Sequence, residues 1–472
     1  MAELDDLGLR EIGARLRDGR LTALALAEHA IARHERFGAA LGAYIHWDPE
    51  ALRTGAKAAD ALFAAGVDLG PLQGVPVSVK DLFGVRGMPT QAGSPKRLPA
   101  RFEEEGSVVR AVRKGGGVVT GKTHTVEFAY EGLGVNPHLG SPRNPWDAAT
   151  HRCAGGSSSG AGVSLIEGSA LVALGSDSGG SVRMPATVTG TVGLKPGHGR
   201  WGIDGIVPFC PTLDSPGPLT RTVDDAAVAF AAIDPHCDRA GFEAALAATS
   251  VADARLGLAE THFWADCDPG IAEGVRAALG ELEGAGASLR AIDFPEAVEG
   301  YAEGMRGHIV AAEFHALMRA ELPDWLETLN PILKERLEVH ERPWEIPAVD
   351  YYDNLRAVRA LQARADERLR RVDAIVCPTV VMTPPPVAEI VDLASQRGPN
   401  LRIHNNAYLV NILGLSALTM PVALDAAGMP VGLQLIARSG NEERLLALAC
   451  AFERTLGTAR RRLGVAPMCV ST

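Results

Sequence analysis

The chain has 472 residues, 46% of them hydrophobic and 22% charged, a balance that excludes a disordered or fibrous protein. Its 46 Lys and Arg against 57 Asp and Glu give a formal charge of −11, which argues against nucleic acid or an anionic membrane as a direct partner. Seven scattered cysteines, with no CxxC pair and no Cys/His cluster at zinc spacing, exclude a disulfide framework or a structural metal as the organising feature.

The amino terminus, MAELDDLGLREIG, is acidic and helical and lacks a signal-peptide pattern, so the expectation is a reduced, soluble, cytoplasmic protein. Residues 1–65 read as a helical region. Leu21–Phe37 repeats apolar residues at helical spacing, and Asp48-Pro49 supplies a cap and first position for a second helix to Ala65. From about Leu72 short β-branched runs alternate with glycine clusters: VPVSVKD (75–81), GGGVVTGKT (115–123) and ALVALGSDSGG (170–180). Such strands between helical stretches predict an α/β core over residues 70–230. Residues 235–370 read as mostly helical, a variable substrate or lid region. Strand-like sequence returns over 371–465, at Asp373–Thr379 and Met429–Ile436, followed by an amphipathic helix over Glu442–Leu456. The apolar window Ala407–Leu424 contains Asn411, Gly414 and Pro421 and is too short to span a membrane, so it reads as buried core. No low-complexity linker divides the chain, and one large domain is expected.

The chemistry concentrates in residues 151–185, HRCAGGSSSGAGVSLIEGSALVALGSDSGGSVRMP, where two serine-bearing glycine loops flank a helix-then-strand stretch. Glycines at this density serve tight turns, or let consecutive N–H groups point at one anion or oxyanion. A phosphate cradle is the competing reading, weakly supported because no GxxxxGK[ST] or GxGxxG is recognised in the chain. Gly156–Gly160 matches GxSxG literally and nominates Ser158 as nucleophile, yet the residues before it, PRNPWDAATHRCA, make a poor strand for such an elbow. A nucleophilic serine needs a base. His124, His138 and His151 lie near these loops without an evident carboxylate partner. Lys80 lies in an apolar run, where desolvation lowers an amine's pKa; its bland alternative is an ion pair with Asp81.

Taken together, GPLQGVPVSVKDLF (70–83), GGSSSG (155–160) and GSDSGGSVRMP (175–185) resemble the amidase signature family. The resemblance extends to GKTHTVEFA (121–129), NPWD (144–147), GLKP (193–196), the stretch 214–227, CPT (377–379) and GMPVGLQLI (428–436). It implies a single α/β/α domain around a mixed, twisted sheet. It also implies a hydrolase that cleaves linear carboxamides to acid plus ammonia or amine through an acyl-serine intermediate, with no metal or organic cofactor. Residue by residue, Lys80 matches the catalytic lysine, Ser157 the bridging serine after a cis peptide bond, and Ser181 the nucleophile. The amides of Ser178, Gly179, Gly180 and Ser181 match the oxyanion hole.

Three positions depart from the family pattern: His124, Ser159 and Glu167. A buried Glu167 would cost several kcal/mol without a partner, and Arg183 is the expected one. Phe83, Met88, Phe128, Tyr130, Trp201 and Ile206 are the expected substrate contacts, together with the 300–360 segment, and their content leans towards an apolar or aromatic amide. A small-molecule amide is the expected partner, with no direct nucleic-acid or membrane contact and with room for a homodimer. Two alternatives stay open: the glutaminase component of a tRNA-dependent amidotransferase complex, and a catalytically silent binding protein. A lysine base predicts an ascending limb in kcat/KM at roughly 7.5–9, against ~6.5 for a histidine.

Overall fold

The β-branched and glycine-bounded runs of the sequence become strands: β1 (Tyr44–Trp47), β2 (Pro76–Lys80), β3 (Val118–Thr123), β4 (Val172–Ser176), β5 (Val192–Lys195), β6 (Pro216–Thr220), β7 (Arg255–Leu258), β8 (Ser288–Ala291), β9 (Ala374–Pro378), β10 (Ser416–Leu424) and β11 (Pro430–Ala437). In the computed structural model, which describes residues 2–470, all eleven join one sheet in the order β1-β3-β2-β4-β6-β5-β10-β11-β9-β7-β8. The sheet is mixed. β2 runs parallel to both β3 and β4, and β7 parallel to β8 and β9, while the other neighbours are antiparallel. Strands β2, β3 and β4 are buried at every position, as expected of strands covered on both faces.

The expected helices form with small changes of boundary. Ala23–Leu41 is capped by Thr22, whose side chain accepts from the Ala25 amide, and Pro49–Ala64 by Asp48, which accepts from the Ala51 amide at 2.9 Å. The apolar window is a short helix, Tyr408–Ile412, leading into β10; the β10–β11 register shifts just after Pro421, which has no N–H to give the ladder. One expectation needs correcting. Residues 235–370 are not simply a helical insertion, because β7 and β8 extend the far edge of the same sheet. Only from Glu296 to Leu369 is that region helical throughout its regular structure. Among the described residues no helix is long and apolar enough to cross a membrane.

The helix Ser159–Glu167 fixes the first glycine loop in space. It is buried on nearly every side, and a Cβ at Gly160 would stand 2.1 Å from the Ala43 carbonyl oxygen. Only glycine permits that approach, so the loop residues immediately before the helix are held against β3 and β4.

Candidate active site

Lys80 is the last residue of β2 and Ser176 the last of its parallel neighbour β4, so both side chains emerge at the carboxyl ends of parallel strands, where α/β sheets place their crevices. Lys80 has no solvent exposure. Its Nζ donates to Ser157 Oγ at 2.7 Å and to Ser176 Oγ at 2.9 Å. The peptide bond Gly156–Ser157 is cis. Burial pulls the Lys80 amine down to about 7, although the carboxylates of Asp177 and Asp214 act in the opposite sense. The bland pairing with Asp81 does not form. Asp81 instead sits 2.9 Å from Lys122 Nζ, since successive residues of a strand point to opposite faces.

The second glycine loop is built around Asp177. Its Oδ1 accepts from the Gly180 amide at 2.8 Å and its Oδ2 from the Val182 amide at 3.1 Å, while Arg183 contacts both oxygens at 3.0 and 3.1 Å. Arg183 also donates to Gln434 Oε1 and Asn411 Oδ1, both at 2.7 Å, and Asn411 returns a bond to the Asp177 carbonyl oxygen. Burial alone would raise the Asp177 carboxyl, but the guanidinium holds it well below the usual carboxylate range. The loop is therefore tied to β11 and to the helix Tyr408–Ile412 by a satisfied polar network. Gly180 has φ +117° and a Cβ there would meet that of Ala407 at 2.5 Å, so glycine is required. This corrects one expectation: the Gly180 amide is turned inward onto Asp177 and is not free for a substrate oxygen. Ser178 is anchored by its hydroxyl, which donates to Asp214.

A cavity of about 720 Å³ opens over this loop, with Ser178, Gly179 and Ser181 in its lining. Tyr130, Phe209 and Tyr408 form an aromatic wall, Tyr130 meeting Phe209 edge-on at 4.8 Å. Of the six expected substrate contacts only Tyr130 lines the cavity. Phe83 and Ile206 pair with each other as a β-bridge beside β2, and Met88 packs back on Val85. Phe128 lies behind Tyr130 against Phe314, and Trp201 stacks on Phe230 while donating to Asp234. Four of these five are core, and Ile206 packs against it partly buried. The lining also includes ionisable groups that were not named from the sequence, among them Arg336, Arg397, His404, Glu131 and Glu341. The 300–360 segment does contribute, from Gly304 to Asp350.

The competing candidates are placed elsewhere. Ser158 is buried, and its Oγ donates to the Ser176 carbonyl oxygen at 3.4 Å. No strand runs directly into it, so the elbow geometry is missing. Burial drives the His124 ring down to about 4, so it stays neutral at physiological pH. His138 sits 3.5 Å from Glu127, and His151 faces the Pro142 carbonyl oxygen. Ser159, the third serine, starts the buried helix. Glu167 is fully buried, but its partner is His34, whose Nδ1 lies 2.6 Å from Oε1; Arg183 is already committed to Asp177. The phosphate-motif reading needs correcting, since residues 116–123 spell GxxxxGK[ST] and 197–202 spell GxGxxG; yet 118–123 form β3, with Lys122 paired with Asp81, and the turns after β5 that hold 197–202 lead into no helix. A phosphate loop needs that sequence between a strand and a helix. Among the described residues no group of three His, Cys, Asp or Glu is placed to hold a metal ion.

A family model described as Amidase matches residues 25–446. Over 458 residues the chain is 44% identical to 2-amino-5-chloromuconic acid deaminase of Comamonas testosteroni, covering 97% of this chain and 98% of that protein. It is 34% identical over 509 residues to one of the subunits of the Glutamyl-tRNA(Gln) amidotransferase of Ralstonia nicotianae, covering 96% and 98%. Among solved structures, the native peptide amidase from Stenotrophomonas maltophilia matches with a TM-score of 0.81 at 26% identity, covering 97% of this chain and 98% of that one.

Proposed function

From the premise that the chain belongs to the amidase signature family, and is a hydrolase of C–N amide bonds, we propose that it acts alone on a linear amide through a Lys80–Ser157–Ser181 triad. The observation that carries this reading is the 2.7 Å contact between Ser157 Oγ and a fully buried Lys80 whose amine titrates near 7. At neutral pH about half of such lysines hold a lone pair, against about one in 2,500 at an unperturbed pKa.

Neutral Lys80 takes the proton of Ser157 Oγ as Ser157 takes that of Ser181. The Ser181 Oγ then forms a bond to the carboxamide carbon, and the carbonyl electron pair moves onto oxygen. The amides of Gly179 and Ser181, with that of Ser178, receive the oxyanion, each donor in comparable sites being worth about 3–4 kcal/mol. The proton held on Lys80 returns through Ser157 to the leaving nitrogen as the C–N bond breaks. Water, deprotonated by the same route, then cleaves the acyl-Ser181 ester and releases the acid. The 44% identical relative is a deaminase by name, which supports ammonia as the leaving group.

The second reading, the glutaminase component of an amidotransferase, is supported by the 34% identity to the Ralstonia nicotianae protein over nearly its full length. One experiment addresses both. The purified chain, acid-quenched during amide turnover, should carry an acyl mass increment on the peptide containing Ser181, absent from Ser181→Ala. Turnover appearing only with added partner proteins would favour the second reading, and an increment on Ser158 would move the nucleophile.

A further inference from the structure

We propose that the amide this site takes also bears a carboxylate, bound by Arg336 with Arg397 at the cavity mouth; this rests on the amide-hydrolase reading above. The charges lining the cavity are unevenly partnered. Arg306 pairs with Glu303 at 3.2 Å, and Arg342 with Glu345. Arg336 is half-buried and spends two N–H groups on neutral acceptors, the Tyr130 carbonyl oxygen at 2.8 Å and Gln396 Oε1 at 2.6 Å. Among the described residues no carboxylate lies within ion-pair distance of it, and Arg397, next to Gln396 in the chain, has no partner either. A guanidinium carries five N–H donors in a fork that matches a carboxylate, so donors remain on Arg336 for a ligand.

The lining carboxylates cannot take that role. Glu131 receives the amides of Leu133, Gly134 and Val135 at 2.6–2.9 Å, and Glu341 accepts the Tyr130 hydroxyl. Asp350 is unpaired among the described residues, but it belongs to the first turn of the helix Ala348–Leu369. Arg336 is also tied to the reacting end. The segment it grips runs from Tyr130 to Gly132, whose carbonyl oxygen accepts from the Gly156 amide at 2.7 Å, one residue before Ser157. A neutral substrate would leave the guanidinium with only the more distant charges of Glu131 and Glu341, both spent on other donors, whereas a carboxylate at the far end of a short chain takes its remaining N–H groups directly.

The test compares ammonia release from succinamate and glutaramate with release from the isosteric neutral diamides, succinamide and glutaramide. The wild-type protein should prefer the acids in kcat/KM by about 10- to 100-fold, the range of a charge-assisted hydrogen-bond pair. Arg336→Met should cut that preference about 10-fold or more, chiefly through KM, with Arg336→Lys keeping part of it and Arg397→Met giving a smaller loss. Diamides turned over as well as the acids, no turnover of either acid, or variants that lower both substrate classes equally would each overturn the anion subsite. Hydrolysis that survives Ser181→Ala would overturn the reading beneath it.

Discussion

Replacing Lys80 by methionine should make the protein more stable at neutral pH while destroying its activity. Lys80 is fully buried, and burial lowers its amine from 10.5 to about 7. In the unfolded chain the lysine keeps its proton up to about 10.5. Between about 7 and 10.5 the unfolded state therefore binds more protons than the folded one, so wild-type stability rises with pH through that window. The contribution is complete above 10.5 and is lost as pH falls through about 7. At about 1.4 kcal/mol per pKa unit, the wild-type fold is penalised by about 4 kcal/mol at pH 7 and about 1 kcal/mol at pH 9.5. Methionine carries no such penalty, but it leaves the Ser157 and Ser176 hydroxyls without Nζ, a loss of about 1–3 kcal/mol that does not depend on pH in this range. The variant's advantage should thus shrink by about 3 kcal/mol between pH 7 and 9.5. Urea midpoints of the two proteins at pH 7, 8 and 9.5 measure it, every other titrating group being common to both. A stability difference that stays flat with pH would refute the assignment of a depressed Lys80. The same ionisation should appear in the wild type as a single ascending limb of kcat/KM at about 7, below the 7.5–9 expected from the sequence.

Further outcomes are expected of single variants. Ser181→Ala should lose at least about 10⁴-fold in kcat while unfolding like the wild type, checked by amide turnover beside thermal denaturation. Ser157→Ala should lose several orders of magnitude in kcat, whereas Ser158→Ala, whose hydroxyl only meets the Ser176 carbonyl oxygen, should keep most of it; the reverse result would shift the triad by one residue. Asp177→Ala strands a fully buried Arg183 and should cost about 3–5 kcal/mol, read as a lowered urea midpoint. Glu167→Ala should destabilise by about 2–3 kcal/mol through loss of the His34 contact, with activity per folded molecule preserved.

Some expectations rested on information local in the chain. Glycine density, β-branched runs and the Asp48-Pro49 cap mark their own elements, because sterics and capping act between near neighbours. Hence the helices before residue 65 and the strands at 76–80 and 172–176 could be placed without coordinates, while the candidate triad came from the resemblance of the motifs to the amidase signature family. Residues 235–370 were harder to read: β7 and β8 are four residues each and lie on the far edge of the sheet, so their strand state depends on β9, more than 80 residues away in the chain.

Side-chain partners followed the same division. An apolar run around Lys80 already implied a strand buried on both faces, and with it a desolvated amine. Which hydroxyls receive Nζ, however, depended on β2 and β4 lying side by side. Arg183 lies close to Glu167 in the chain, but the turn after β4 aims it at Asp177, six residues away, and leaves Glu167 to His34 on another helix. Aromatic and aliphatic residues near the motifs were indistinguishable from core until the fold left Phe83, Met88, Phe128, Trp201 and Ile206 out of the cavity lining. Arg336 and Arg397 carry no local signal at all, since an exposed-looking arginine on a helix acquires meaning only from what tertiary structure sets opposite it. Sequence alone thus determined most of the elements, whose cause is short-range sterics, and a desolvated Lys80; the proposed reacting serines came from the motif resemblance. Packing decided which charges meet and what the cavity presents to a substrate, because those depend on segments brought together from more than two hundred residues apart.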